Sequence, residues 1–337
     1  MACAFLSLAT GCGAPPFPGG AQQLETAIRH GSGSAYCLTS ACIYVANAYG
    51  PASIDIYRLD QHGAVRPAER IAGSNTALSS PEAVAVDANH DVYVANINGY
   101  YESAITVYPA GDYGNVAPAQ TITGPLTQMG IATGVAVDSA AKVYVTNWFG
   151  GTPCTGSVTV YPAGANGDAA PIAQIKGSKT RLCDPEGIAV DSSGNLYVTS
   201  GSQYSSAVDI YAAGSKGNVR PIAEISGTRT QLYDPTGITL DAGGNVYVSA
   251  NGAGVLTKYR AGAHGNAKPA QTISGIFTKL QSAYGVAVDP SGKIYANNET
   301  QQNVVVFASD ANGDVPPIRI IKAKRSGLSR PTNLAIR

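Results

Sequence analysis

Few side chains in this 337-residue sequence are suited to chemistry, and the carboxylates stand out first. Glu82 and Glu186 each follow a proline at the head of matching segments, Pro81-Glu82-Ala83-Val84 and Pro185-Glu186-Gly187-Ile188. Two carboxylates at one point are the beginning of an oxygen set for a divalent cation, which takes about six ligands. Asn47, Asn96, Asn147 and Asn298 can add oxygens, although their positions also suit pairing with loop backbone. A further series, Asp87, Asp138, Asp191, Asp241 and Asp289, recurs six residues before a tyrosine, in short turns rich in Gly, Asn and Ser. Such carboxylates are expected to accept backbone N–H bonds and fix a hairpin rather than to react. The four His are His30, His62, His90 and His264.

Aromatic residues are the second resource. Tyr49, Tyr100, Tyr101, Trp148, Phe149 and Tyr204, with Tyr233, Phe277 and Tyr284, fall in or beside two sets of loops. Rings gathered on one face suit a flat amphipathic ligand, a sugar ring or a peptide. The competing reading is that they pack the loops against one another.

The elements that position these residues are legible in a tandem array. In the copy from Pro185 to Asp234, four short runs rich in β-branched and aromatic residues read as strands a to d: Ile188-Val190, Leu196-Val198, Val208-Tyr211 and Ile222-Ile225. Ser192-Asn195 and Gly214-Asn218 are the hairpin turns between a and b and between c and d. Strand b carries Tyr44, Tyr93, Tyr144, Tyr197, Tyr247 and Tyr295; strand c carries Tyr57, Tyr108, Tyr161, Tyr211, Tyr259 and Phe307. Ten residues after each strand-c aromatic stands a proline, and fourteen later the next unit opens, at Pro81, Ala132, Pro185, Pro235, Ala283 and Pro331. Only the interval from the strand-b tyrosine to the strand-c aromatic varies, between 12 and 17 residues, so length variation is confined to the b–c loops. Four strands in a repeat of 48 to 53 residues specify an all-β fold, a six-bladed propeller. Pro331-Ile336 matches strand a, while the first unit begins at strand b with Ile43-Tyr44-Val45. The C-terminal strand is therefore expected to complete blade 1, with Gly33-Leu38 a poorer competitor for the same slot.

The pattern P-x-G-[IV]-A-V-D-x-x-G-[NK]-[VIL]-Y-V resembles NHL-repeat propellers, and Tyr144-Val145-Thr146-Asn147 is the tetrapeptide of YVTN-type propellers. The resemblance covers roughly residues 36 to 337 and speaks to fold, since related propellers include lactonases, lyases and inert scaffolds. It implies that the residue after each opening position lines the top of the channel: Glu82, Thr133, Glu186, Thr236, Tyr284 and Thr332. In lactonase-type propellers this ring is where carboxylates hold a divalent cation. Glu82 and Glu186 match that pattern and the threonines depart from it. His62, His90 and His264 fall in turns on the opposite face, which speaks against lyase chemistry based on His.

Lys plus Arg and Asp plus Glu are equal at 22 each, which argues against a nucleic-acid partner. No run of about 18 apolar residues spans a membrane. Residues 1–12 resemble a signal peptide ending in the lipobox-like Leu8-Ala9-Thr10-Gly11-Cys12, lacking a basic start, with Cys12 the acylated residue. Residues 13–33 would be a flexible tether and 34–337 the propeller. Cys154, in a b–c loop, and Cys183, in the following d–a loop, share a face and are expected to form a disulfide; Cys37 and Cys42 can bridge a short turn. The resulting expectation is a monomeric, lipid-anchored protein of the periplasm or cell surface that binds a glycan, peptide or protein on its b–c face without cofactor or catalysis. The ligand-binding set comprises Tyr100, Tyr101, Trp148, Phe149, Tyr204, Tyr233, Tyr284, Glu82 and Glu186. The alternatives are a metal-dependent lactonase or hydrolase built on the two glutamates and a protein-interaction scaffold.

Overall fold

The computed structural model describes residues 36–99, 102–149, 154–202, 205–323 and 327–337. Cys12, the segments before residue 36 and Tyr100, Tyr101 and Tyr204 lie outside them. Six antiparallel four-stranded sheets follow one another as the blades of a propeller. Blade 1 takes its strand a from the C-terminus: Pro331–Ile336 pairs with Cys42–Asn47, as the repeat register requires. Tyr36-Thr39, part of the competing segment, forms a short helix instead.

Each recurring residue closes a specific bond. The hairpin aspartates use Oδ1 to accept two backbone N–H groups, as Asp241 does from Gly243 and Asn245, both at 2.9 Å. Their Oδ2 atoms accept the strand-b tyrosine hydroxyl in four blades, at 2.9 Å for Tyr144 on Asp138 and 3.1 Å for Tyr247 on Asp241. In blade 4 the Asn195 amide takes that place on Asp191. Strand-c tyrosines are fully buried, and Tyr108, Tyr161, Tyr211 and Tyr259 donate to the carbonyls of Thr76, Thr127, Thr180 and Thr230 in the preceding d–a loops. The core is divided accordingly: each of six apolar clusters is shared by two adjacent blades, such as Tyr93, Ile105, Val143 and Tyr161 between blades 2 and 3. Strand d of blade 4 runs Ala223–Ser226, one residue later than expected. Ile222 keeps its backbone bond to Ile210 at 2.7 Å, but its side chain is exposed on the blade's outer edge.

A clamp joins neighbouring blades at the outer edge. Asn115, Asp168, Asn218, Asn266 and Asp314, in the c–d turns, accept the N–H of Asn75, Leu126, Lys179, Arg229 and Phe277 of the preceding blade, each at 2.7 Å. The residue facing each clamp is a glycine at positive φ, for example Gly177 at 130°, where a Cβ would run into the Asn218 side chain. The seam between blades 6 and 1 is built differently. Its corresponding positions are Ala64 and Ala323, and Gly63–Val65 pairs in parallel with Arg319–Ala323 as a fifth strand.

Candidate functional site

The six residues that follow the opening positions share a backbone feature that aims their side chains. Every strand a carries an irregularity just after its opening residue. In blade 2, Pro81 pairs with Asn96 and Ala83 with Ala95, which leaves Glu82 unpaired; Thr133 and Thr332 are left out in the same way. In blades 4, 5 and 6 the skipped pairs are Glu186-Gly187, Thr236-Gly237 and Tyr284-Gly285. A bulge redirects the side chain it carries. The glycines let adjacent strands close in, since a Cβ on Gly134 or Gly187 would collide with the carbonyl of Glu186 or Thr236. Below the ring runs a channel of about 190 Å³, lined by strand-a residues such as Val84, Val135, Ile188 and Leu334.

The ring alternates. Thr332, Thr133 and Thr236 belong to blades 1, 3 and 5, and each hydroxyl donates to strand a of the next blade: to Pro81 O at 2.7 Å, Pro185 O at 2.7 Å and Tyr284 O at 2.8 Å. These threonines are structural spacers. Glu82, Glu186 and Tyr284 belong to blades 2, 4 and 6, and none of their side chains makes a hydrogen bond among the described residues. Their carrier strands are held in turn, because Thr146 donates to Glu186 O at 2.6 Å and Ser249 to Tyr284 O at 2.7 Å. Blades 2, 4 and 6 are not neighbours, yet Glu82 acts electrostatically on Glu186 and both act on Tyr284, so the three side chains face one another across the channel mouth.

The electrostatics follow from that convergence. Burial pushes Glu186 up to about 8, and the nearby charges of Glu82, Asp234 and Asp184 add to it. Burial pushes Glu82 up to about 7 against the pull of Arg330, with Glu299 reinforcing the rise. The Tyr284 phenol is pushed up, first by Glu186 and then by burial, Glu82, Glu299 and Asp234. Two carboxyl groups thus titrate as a pair near neutrality instead of near pH 4.

Around the ring lies a rim built from the residue before each opening position. Asp184, Asp234 and Arg330 hold φ of 49°, 51° and 49°, left-handed values that non-glycine residues seldom adopt, and each precedes a proline. Asp184 accepts the Trp148 indole N–H at 2.7 Å. Arg330 forms an ion pair with Glu299 and lies 4.7 Å from the ring centroid of Tyr49. Tyr49, Trp148, Tyr233 and Phe277 are exposed.

Of the residues singled out in the sequence, Glu82, Glu186 and Tyr284 come together, with Trp148 at the rim through Asp184. Tyr233 is exposed next to Asp234 in sequence, with its ring over Gly252. Phe149 does not join them: its ring is under Lys176 of the outer strand d, 4.5 Å from the ammonium, and packs on Gly130. The strand-b asparagines are occupied by loop backbone, as Asn96 Oδ1 accepts Ser79 N–H at 3.1 Å and Asn147 Oδ1 accepts Gly130 N–H at 3.2 Å. Among the described residues no three His, Cys, Asp or Glu gather closely enough for a metal ion, so two glutamates and a phenol are a poor match to a hard divalent cation. His62 and His264 are exposed in c–d turns, and His90 lines a concavity of about 910 Å³ on the opposite face. Both expected disulfides are present, Cys37–Cys42 and Cys154–Cys183; the second fixes the residue next to Asp184. Sequence reasoning missed the part that Asp184, Asp234 and Arg330 take in this site, although each is a charged residue immediately before an opening proline.

The chain matches no protein-family model and no curated protein sequence. Solved structures share its architecture. A protein of unknown function from Bacteroides caccae is similar over 88% of this chain and 99% of its own, with a TM-score of 0.60 and 9% identity. A periplasmic gluconolactonase of Pseudomonas aeruginosa aligns over 88% of this chain and 98% of its own, with a TM-score of 0.57 and 15% identity. A putative 6-phosphogluconolactonase of Bacteroides fragilis aligns over 90% and 100%, with a TM-score of 0.54 and 12% identity. At these identities the similarity establishes the propeller fold and nothing finer.

Proposed function

We propose that this propeller is an extracytoplasmic binding protein that seats a small hydroxylated ring, a sugar or the end of a glycan, over its channel mouth. The observation that carries the reading is the grouping of Glu82, Glu186 and Tyr284 at the channel mouth, without hydrogen bonds among the described residues, inside a rim that exposes Trp148 and Tyr233. Carboxyl groups and a phenol can exchange hydrogen bonds with ring hydroxyls, while the aromatic faces cover the ring's apolar side. Two disulfides support an oxidising compartment. Acylation at Cys12 and a tether over residues 13–33 would place the propeller at a membrane surface.

A second reading is hydrolysis of a sugar lactone, in keeping with the names of two structural neighbours. It is favoured by the pair of carboxyl groups titrating near 7 and 8. One ionised glutamate would take a proton from water as its oxygen adds to the lactone carbonyl carbon. The other would give its proton to the ring oxygen as the ester C–O bond breaks.

Calorimetric titration of the full chain with sugars and sugar lactones, alongside an acid-release assay on the lactones, tests both readings. Binding weakened at least tenfold by Glu186→Gln and by Trp148→Ala is expected, with unchanged melting curves. Turnover abolished by either Glu82→Gln or Glu186→Gln establishes the hydrolase. Binding that survives all three substitutions places the ligand elsewhere and overturns both.

A further inference from the structure

The alternation of the ring has a chemical counterpart. Three acceptor-bearing side chains, Glu82, Glu186 and Tyr284, stand at the strand-a irregularities of every second blade and act on one another electrostatically around the channel mouth, with threonines tied into the wall between them. A group on that axis sees three acceptors spaced around it. A primary ammonium is the group that offers three N–H donors about one axis, with its substituent leaving along that axis. The charges at the mouth ask for the same sign. Five carboxylic residues, Glu82, Glu186, Asp184, Asp234 and Glu299, act on the mouth, against one cation, Arg330. Arg330 is committed to Glu299 and to the Tyr49 ring, and Asp184 to Trp148. No cation acts on Glu186, which is partly exposed at the channel mouth and has no hydrogen-bond partner among the described residues. A desolvated acid without a counter-charge is costly to ionise, so it favours its protonated form until a cation arrives.

We propose that the three-fold set Glu82, Glu186 and Tyr284 seats the primary ammonium of an amino sugar, with the sugar ring lying outward against the rim. This deepens the reading of the mouth as a sugar site and rests on it. The ammonium donates one N–H to each of the three side chains. The sugar hydroxyls then lie at the level of Asp234 and of the Trp148 and Tyr233 rings. Seating the charge draws a proton off the glutamate pair and releases it to solvent, because a cation on the axis favours the ionised carboxylates. An anionic or phosphorylated sugar is repelled by the rim carboxylates Asp184, Asp234 and Glu299.

Glucosamine, N-acetylglucosamine and glucose separate the charge from the ring, since acetylation removes the ammonium and leaves the other hydroxyls in place. Each is titrated into the full chain at pH 6 in two buffers of different ionisation enthalpy. At that pH the sugar amine is charged and both glutamates, at about 7 and 8, hold protons. Glucosamine is expected to bind at least tenfold more tightly than the other two and to release close to one proton per site. Glu186→Gln, which cannot yield a proton, is expected to abolish both the preference and the release while melting like the parent. If glucose and N-acetylglucosamine bind as well as glucosamine, or if binding moves no proton, the ammonium assignment is overturned and the sugar site stands. If none of the three binds, the sugar site falls with it.

Discussion

Asp241 and Glu186 are the same kind of group put to opposite use. Burial pushes Asp241 up, but the Asn245 amide and N–H, the Tyr247 hydroxyl and the Gly243 N–H outweigh it and hold the carboxyl below its usual range. Its contribution to stability is present above the unfolded value and is lost as pH falls through the folded one. Glu186 has no such donors and shifts the other way. The difference is legible in type: an aspartate two residues before a Gly-rich turn has donors waiting, whereas a glutamate on a channel axis has none. Asp241→Ala removes acceptors from two backbone N–H groups and leaves the Tyr247 hydroxyl without its partner. It is expected to cost about 2 kcal/mol, lowering the melting temperature by roughly 3 °C in a chain of this size. Asp241→Asn, which keeps Oδ1, is expected to recover about half of that loss. A calorimetric scan decides; an alanine variant that melts with the parent would show that the turn holds without its carboxylate.

At the scale of elements, the two chain ends meet in one sheet, and the seam is the place where the repeat is broken. Elsewhere an Asn or Asp of one blade clamps a glycine-containing loop of the previous blade, whereas at the seam Ala64 and Ala323 replace both partners and a short parallel strand bridges the gap. Arg319 adds a bond to the Leu59 carbonyl across the same junction. The closing strand also carries Thr332, which ties blade 1 to Pro81 of blade 2, and Asn333, whose Oδ1 accepts the Val84 N–H at 3.3 Å. Deleting Thr332–Arg337 removes most of the strand that pairs with strand b of blade 1 on its inner edge, and is expected to replace one cooperative melt by a broad or multistep transition. A single sharp transition at the parent's temperature would refute closure through this strand. The blades were readable because invariant intervals between Asp, Tyr, Pro and the next opening residue leave one register. The rim was not, because Asp184, Asp234 and Arg330 act through a left-handed backbone before proline, a conformation with no spacing signature. Phe149 lies apart from Trp148 for a local reason. It follows Trp148 directly, and adjacent residues leaving a strand point to opposite sides, one toward Asp184 and the other toward the outer strand.

For the molecule as a whole, the balance of raised and lowered carboxyl groups sets an unusual dependence of stability on pH. Asp209 is fully buried on strand c of blade 4; burial pushes it up to about 7, although Ser200 donates to it at 2.9 Å and Arg181 pulls it down. Arg181 is paired with Glu224 instead, which leaves one Asp209 oxygen without a hydrogen bond among the described residues. Glu82 and Glu186 are raised to about 7 and 8 by the same desolvation. A carboxyl group that holds its proton more tightly when folded contributes stability that is complete below the unfolded value, near 4, and is lost as pH rises through the folded one. All three therefore weaken the fold between about pH 4 and pH 8. Asp241 and Asp289 oppose them only below about pH 4, where their lowered values come into play. Between pH 5 and pH 8 the loss from Asp209 alone is on the order of 2–3 kcal/mol, and the mouth glutamates add to it in the same direction. The protein is expected to melt at a higher temperature at pH 5 than at pH 8, the reverse of a protein whose acids are mostly ion-paired. Asp209→Asn, which keeps the Ser200 bond and cannot ionise, should flatten the curve and raise stability at pH 8. A parent whose melting temperature is level or rising from pH 5 to pH 8 would mean that these three acids are solvated or paired in the folded chain. The uncompensated mouth that the ammonium assignment requires would then not exist.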